Sequence, residues 1–377
     1  MNPNKMKIGF LINPVAGMGG KVALKGTDGE ETLRRALELG AVPMAAERAS
    51  SAVKEFASLS YSGHKFFAPS GKMGADLLCS YGFDVESVYA SPSHTTSNDT
   101  KNAVSAIISH NVDLIIFAGG DGTARDVCSV VGTKVPVVGI PAGVKIHSGV
   151  YAKRPKDAGK LIFSVLSGNV TRYIETEVVD IDEEAFRNNI VTARLYGYMI
   201  VPDDTRFMQE RKSGGGAGNK SDTLDLAAYT ISQMKQGHLY LIGSGTTTAA
   251  VTERLGIDGT LLGVDAVSNG ELIAKDMTES DIKKLLLAYD ESERHLIITV
   301  IGGQGHIFGR GNQQLSPDVI RMIPKTNIMV IATPMKMSQL FAKPLLADTG
   351  DASLDDDLKG YIPVITGIGR SIMTKVE

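Results

Sequence analysis

The run Gly119-Gly-Asp-Gly-Thr123 directly follows Val112–Ala118 (VDLIIFA), the clearest strand-like stretch in the chain, and precedes helical spacing from about Ala124 to Val131. Ligands of open α/β sheets bind beyond the carboxyl ends of strands. Glycines there let the backbone approach a ligand closely. Successive N–H groups and the next helix N-terminus then make a cradle for anions. Asp121 is the odd member of this loop, because a carboxylate repels phosphate unless it has a task. Two tasks fit: accepting a proton from a hydroxyl that attacks a phosphoryl group, or holding Mg²⁺ on a nucleotide. The structural alternative is a helix cap. Thr123 could cap the helix and also touch phosphate.

Further candidates flank this loop. Lys145 and His147 follow Pro141-Ala-Gly143. Lys145 could neutralise phosphate or be solvated, and His147 could enter the chemistry or serve the structure. Gly243-Ser-Gly-Thr-Thr-Thr248, with its three threonine hydroxyls leading a helix, reads as a second cradle for phosphate or ribose, or as a capped helix start. Gly302–Gly305 and the planar fork of Arg310 could add another anion contact. Asp348, Asp351 and Asp355–Asp357 form an acidic stretch that reads as a solvated turn or a Mg²⁺ site. No G-x-x-x-x-G-K-[ST], H-E-x-x-H or paired C-x-x-C occurs, and Gly17-Met-Gly-Gly20 does not complete G-x-G-x-x-G.

The elements that must position these residues alternate. Lys7–Ile12 reads as a strand ending in the Asn13–Gly20 loop. Glu30–Leu39 reads as a helix, Lys65–Ala68 as a strand, Gly71–Ser80 as a helix and Val85–Ala90 as a strand. Ser97–Asp99 caps a helix from about Thr100 to Ser109, and Val135–Ile140 is another strand. Continuous Val/Ile/Leu runs between helices predict a doubly wound parallel sheet, a first domain at about residues 1–150. Beyond it, Val170–Ile181 and Ile190–Val201 read as longer, antiparallel strands, and Ser213–Asn219 as a glycine linker. Strand–glycine–helix units then return. They are led by His238–Ile242, Leu296–Ile301 and Asn327–Ala332, with a helix over Glu279–Tyr289.

The chain has 377 residues, 43% hydrophobic and 21% charged, which suits two folded domains rather than a disordered polymer. A net charge of −3 offers no basic excess for nucleic acid or an anionic membrane. No apolar run approaches the roughly 18 residues that span a bilayer. Two distant cysteines, Cys79 and Cys128, suit reduced thiols. The expected location is therefore cytoplasmic.

GGDGT after a hydrophobic strand, with Asn13-Pro-x-Ala-Gly17 near the N-terminus and Gly139-Ile-Pro-Ala-Gly143 downstream, resembles the superfamily of NAD kinases, lipid kinases and phosphofructokinases. Gly243–Thr248, Leu262-Gly-Val-Asp265, Ile301–Gly305, Gly309-Arg-Gly-Asn-Gln-Gln-Leu-Ser-Pro317 and Asp348–Asp351 look like the ATP-NAD kinase-like proteins of the AcoX type. The resemblance implies an N-terminal α/β domain and a β-rich C-terminal domain over 151–377 with added helices, its last residues returning to the first domain, and a site in the cleft. It implies ATP and Mg²⁺ as cofactors, phosphorylation of NAD at the adenosine 2′-hydroxyl, and a homodimer or homotetramer. Asp121 would be catalytic. Asn13, Gly17, Gly119, Gly120, Gly122, Thr123, Gly143, Gly245, Thr246, Thr247 and Thr248 would bind nucleotide; Lys145, His147, Asp265 and Arg310 are further candidates beside them. One departure stands out. The Asn-Glu pair with which NAD kinases grip NAD is missing where Leu195–Pro202 stands. A different alcohol, nucleoside or lipid acceptor, or a non-catalytic nucleotide-binding role, therefore stays open beside NAD.

Overall fold

Apolar runs without alternation become inner strands. In a computed structural model, which describes residues 5–24, 30–60, 62–144, 146–181, 193–209 and 220–377, β1 (Lys7–Ile12), β4 (Leu114–Gly119) and β5 (Val137–Pro141) are buried almost end to end. Strands covered by helices on both faces must be. With β2 (Lys65–Pro69) and β3 (Val85–Tyr89) they form a parallel five-stranded sheet in the order β3-β2-β1-β4-β5. The winding runs outward from β1 through β2 and β3 on one side, and through β4 and β5 on the other. β1 and β4 pair from Ile8↔Leu114 to Ile12↔Ala118, so their carboxyl ends lie side by side where the winding reverses.

Among the described residues the α-helices of this unit are α1 (Glu30–Glu38), α2 (Ala45–Phe56), α3 (Ala75–Ser80), α4 (Ser97–Ile108), α5 (Asp121–Val131) and α6 (Pro155–Leu166). Two begin earlier than the sequence suggests. α4 starts at Ser97 because Thr96 and Asp99 form its capping box. α5 starts at Asp121 rather than near Ala124, with Gly120 as its N-cap. The unit also holds the antiparallel hairpin β6 (Tyr173–Ile181) and β7 (Ala193–Pro202).

The chain divides into two compact units, one of Met1–Met18 and Gly26–Arg211, the other of Gly19–Lys25 and Lys212–Glu377. The boundary expected near residue 150 therefore moves to 211. α6 packs on α2, and the β6–β7 hairpin packs on α5 and β5, which binds residues 151–209 to the first unit. The Ser213–Asn219 linker lies outside the described residues.

The second unit contains α7 (Lys220–Ser232), β8 (Leu239–Ile242), α8 (Thr246–Arg254), β9 (Asp265–Ser268), β10 (Glu271–Ala274), α9 (Glu279–Leu286) and β11 (Arg294–Thr299). It continues through β12 (His306–Phe308), α10 (Pro317–Arg321), β13 (Ile328–Ile331), α11 (Pro334–Ser338), β14 (Leu346–Ala347), α12 (Ala352–Asp357), β15 (Gly360–Gly367) and β16 (Arg370–Val376). Its seven-stranded sheet runs β10-β9-β8-β11-β13-β15-β16. β8, β11, β13 and β15 are parallel, while β9, β10 and β16 join antiparallel. The last residues, expected to return to the first domain, complete this second sheet as β16. Among the described residues no helix is long and apolar enough to cross a membrane.

On this sheet, His238 Nδ1 lies 2.8 Å from His295 Nε2, and the His295 ring stacks on Tyr240. Burial first, then the nearby His238 and Lys235 charges, lower the His295 pKa from 6.5 to about 4. The folded protein thus refuses a proton that the unfolded chain accepts, so acidification from 6.5 towards 4 favours unfolding. Urea midpoints measured across that range should fall with pH in the wild type and fall less in His295→Gln. An equally steep fall in the variant would show that His295 contributes nothing.

Candidate active site

Beyond the carboxyl ends of β1 and β4, the first unit gathers most of its sequence-predicted residues. Asn13 follows β1. Its N–H bonds Ala118 O at 2.9 Å, and its side-chain amide donates to Thr123 Oγ1 at 2.9 Å. Thr123 is the third residue of α5, so its hydroxyl anchors Asn13 rather than capping the helix. A Cβ on Gly119 would collide with the Thr123 side chain, which explains why only glycine lets the chain turn from β4 into α5 so tightly. Gly17 adopts φ +82°, and a Cβ there would strike the Ala142 carbonyl. The N–H groups of Ala142 and Gly143 both donate to Gly119 O, at 2.9 and 3.1 Å, so Gly143 locks the two loops together. At the start of α5 the N–H groups of Asp121, Gly122 and Thr123 have no intrahelical acceptor, and the helix dipole adds partial positive charge there.

Asp121 does not cap its own helix. Its carboxylate, on a residue only 6% exposed, crosses to the loop after β5. Oδ2 accepts the His147 N–H at 2.7 Å and Oδ1 accepts the Ser148 N–H at 3.0 Å. The His147 ring Nδ1 stands 3.2 Å from Oδ2. Ser148 is itself fully buried, donating to Val179 O at 2.7 Å and accepting from Val179 N–H at 3.1 Å. The Gly149 N–H bonds Glu177 O at 3.1 Å. β6 therefore props the loop that faces Asp121. Two further supports are the Tyr151 hydroxyl on Gly120 O and the Arg125–Asp180 ion pair at 2.8 Å. Ser148, Tyr151 and Asp180 escaped the sequence reading. The one signal for them is position: Ser148 and Tyr151 closely follow His147. Lys145 lies outside the described residues.

The other predicted residues sit in the second unit. Gly245 is the N-cap of α8, which begins with Thr246, Thr247 and Thr248. Thr248 Oγ1 donates back to Gly245 O at 2.9 Å. Thr247 is buried. Asp265 is buried and accepts from Thr260 N–H, Thr260 Oγ1 and Asp276 N–H at 2.5, 2.8 and 2.9 Å, an arrangement that organises its own loop. Arg310 is buried rather than a surface side chain. In the surrounding GRGNQQLSP run, Asn312 closes the turn by bonding Ile307 O and Gly309 N–H, and Ser316 caps α10. In the acidic stretch, Asp351 caps α12 and pairs with Arg321, which lowers its pKa to about 2. Asp355 accepts from Thr349. Among the described residues no group of three His, Cys, Asp or Glu side chains could hold a metal ion.

Removing the Ser148 hydroxyl would take the partner from the half-buried Val179 N–H and C=O, a cost of about 1 kcal/mol for each hydrogen bond lost. Ser148→Ala should therefore shift the urea midpoint down by a corresponding amount. An unchanged midpoint would mean that β6 does not support the loop through this side chain.

The arrangement is a buried carboxylate at the N-terminus of α5, at the reversal point of a doubly wound sheet. No curated protein and no solved structure matches the chain. The model of the ATP-NAD kinase N-terminal domain matches residues 8–170, and that of the ATP-NAD kinase C-terminal domain matches residues 236–375. Two consecutive domains of one family, the first of them containing the whole Asp121 loop, identify the chain as a kinase belonging to the ATP-NAD kinase family.

Proposed function

We propose that the chain is an ATP-dependent phosphotransferase of the AcoX type, acting in the cytoplasm as a homo-oligomer, and that NAD is its acceptor, phosphorylated at the adenosine 2′-hydroxyl. The observation that supports this most is Asp121: a buried carboxylate beside the unsatisfied N–H groups at the start of α5, held by a neighbouring loop instead of capping its helix. Phosphoryl transfer needs positioned reactants and charge neutralisation more than covalent chemistry. Asn13, Gly17, Gly119, Gly120, Gly122, Thr123 and Gly143 shape the cradle that would receive ATP phosphates. In the second unit the start of α8, with Gly245 and Thr246–Thr248, offers a further helix N-terminus for an anion, and the same unit holds the buried Arg310 and, at the start of β9, Asp265. Both Asp121 oxygens already accept protein N–H groups. The described residues thus do not build a protein cage for Mg²⁺, which would arrive on the nucleotide phosphates.

One sequence feature favours a second acceptor class. The Asn-Glu pair is missing from Leu195–Pro202, most of β7. If NAD is not phosphorylated, another alcohol, nucleoside or lipid is the acceptor to seek.

The test is NADP formation from NAD, ATP and Mg²⁺, with Asp121→Asn alongside. Wild type should produce NADP, and the variant should lose about 100-fold or more in turnover while still binding ATP. Well-folded wild type that binds ATP without making NADP would eliminate NAD as acceptor. A variant that fails to fold would assign Asp121 a structural task.

A further inference from the structure

We infer that two copies of the chain associate by pairing the open edges of their β16 strands, antiparallel about a two-fold axis at Ile372. This names a surface for the homo-oligomer of the reading above, and it stands or falls independently of the acceptor.

The seven-stranded sheet ends on β16, whose neighbour in the sheet is β15. On its outer side β16 meets Leu345, whose N–H bonds Lys375 O at 2.7 Å and whose carbonyl receives the Glu377 N–H at 2.9 Å. Those two bonds fix the parity of the strand. Successive residues of a strand turn their backbone groups to opposite sides. With Lys375 and Glu377 facing outward, Ser371 and Met373 face outward too, while Ile372 and Thr374 serve β15 opposite Val364 and Ile362. Among the described residues no strand pairs with the outer side of Arg370–Thr374.

Native sheets blunt an open edge with charge, proline or a covering segment. Leu345 covers only the far end of β16. From Ser371 to Thr374 the strand holds neither charge nor proline. Ile372 is 45% exposed and Met373 59%. On the Met373 face, Pro363 and Tyr361 of β15 are exposed as well. Apolar surface along unpaired ladder groups is a template for another strand.

The occupant is a second β16, because this edge is its own complement. With the axis at Ile372, Ser371 lies opposite Met373 of the second copy, and Met373 opposite Ser371. Both pairs can exchange N–H···O=C bonds, and the two Ile372 side chains meet as the closer, non-hydrogen-bonded pair. Arg370 falls opposite Thr374, so no like charges oppose each other. Other registers meet obstacles. An axis at Met373 puts Ser371 against Lys375, whose outer side Leu345 occupies. An axis at Ser371 puts Met373 against Gly369, where the hairpin turns at φ +61°.

Sedimentation velocity of the full chain over a concentration series tests this, with Ile372→Lys and Ile372→Glu alongside, alone and mixed. One strand edge makes a small interface, so wild type should form a dimer that dissociates on dilution. Either substitution alone sets two like charges face to face on the axis and should weaken association about tenfold or more. An equal mixture of the two variants should restore it, because lysine then meets glutamate. Circular dichroism checks that both fold. Should they not, Met373→Pro removes an outward N–H that β15 does not use, and it should abolish the dimer. A wild type that stays monomeric, a dimer indifferent to these substitutions, or a mixture that stays monomeric would overturn the proposal. ATP binding and NADP formation do not enter this readout, so the kinase reading is judged apart from it.

Discussion

A carboxylate removed from water is costly unless hydrogen bonds meet its charge. Asp121 meets that demand with two successive backbone N–H groups and one ring nitrogen, all from residues 147 and 148. Backbone donors cannot rotate away as side chains can. The loop after β5 must therefore adopt the one conformation that aims both at Asp121, and it must be held there. Ser148 on Val179 and Gly149 on Glu177 do the holding, which makes the β6 strand part of the site. On the opposite side, Gly119 lets β4 turn into α5 with Thr123 packed against it, and Asn13 closes the gap from β1. The carboxylate is thus the junction of three strand ends.

What was readable in the sequence was local. The buried strands showed as unbroken apolar runs, and the Asp121 loop showed as glycines between a strand and a helix. α2 and α6 went unread. The buried face of α2 is Ala45, Ala49, Ala52, Val53 and Phe56, and alanines give a faint apolar signal. The sequence spacing puts the start of α5 near Ala124 rather than Asp121, because a glycine at a helix position looks like loop until its hydrogen bonds are seen. The division at residue 211 was hidden for a different reason. The β6–β7 hairpin reads as the beginning of something new, and only its packing on α5 and β5 ties it to the first sheet.

The partners of the site residues were less accessible still. Asn13 and Thr123 stand 110 positions apart, and Asp121 and Ser148 stand 27 apart. No periodicity or propensity reports such pairs. The long Gly309–Pro317 run, which stands out in the sequence, closes a turn through Asn312 and caps α10 through Ser316, although Arg310 within it is buried. Asp265 accepts three hydrogen bonds from Thr260 and Asp276, which its position in the sequence does not announce.

The membership of Gly19–Lys25 in the second unit bears on how the protein is made. Lys21 pairs with Glu279 at 3.6 Å and its carbonyl receives the Glu279 N–H, a partnership across 258 positions of chain. During synthesis this short segment emerges well before Glu279, its partner in the second unit. Closing a loop of that span is entropically slow, so the second unit reaches its final form only after Glu279 has been made. For the same reason a fragment cut at residue 212 would lack seven residues of its own fold, and the second unit is separable only with its N-terminal segment supplied in trans or grafted back by permutation.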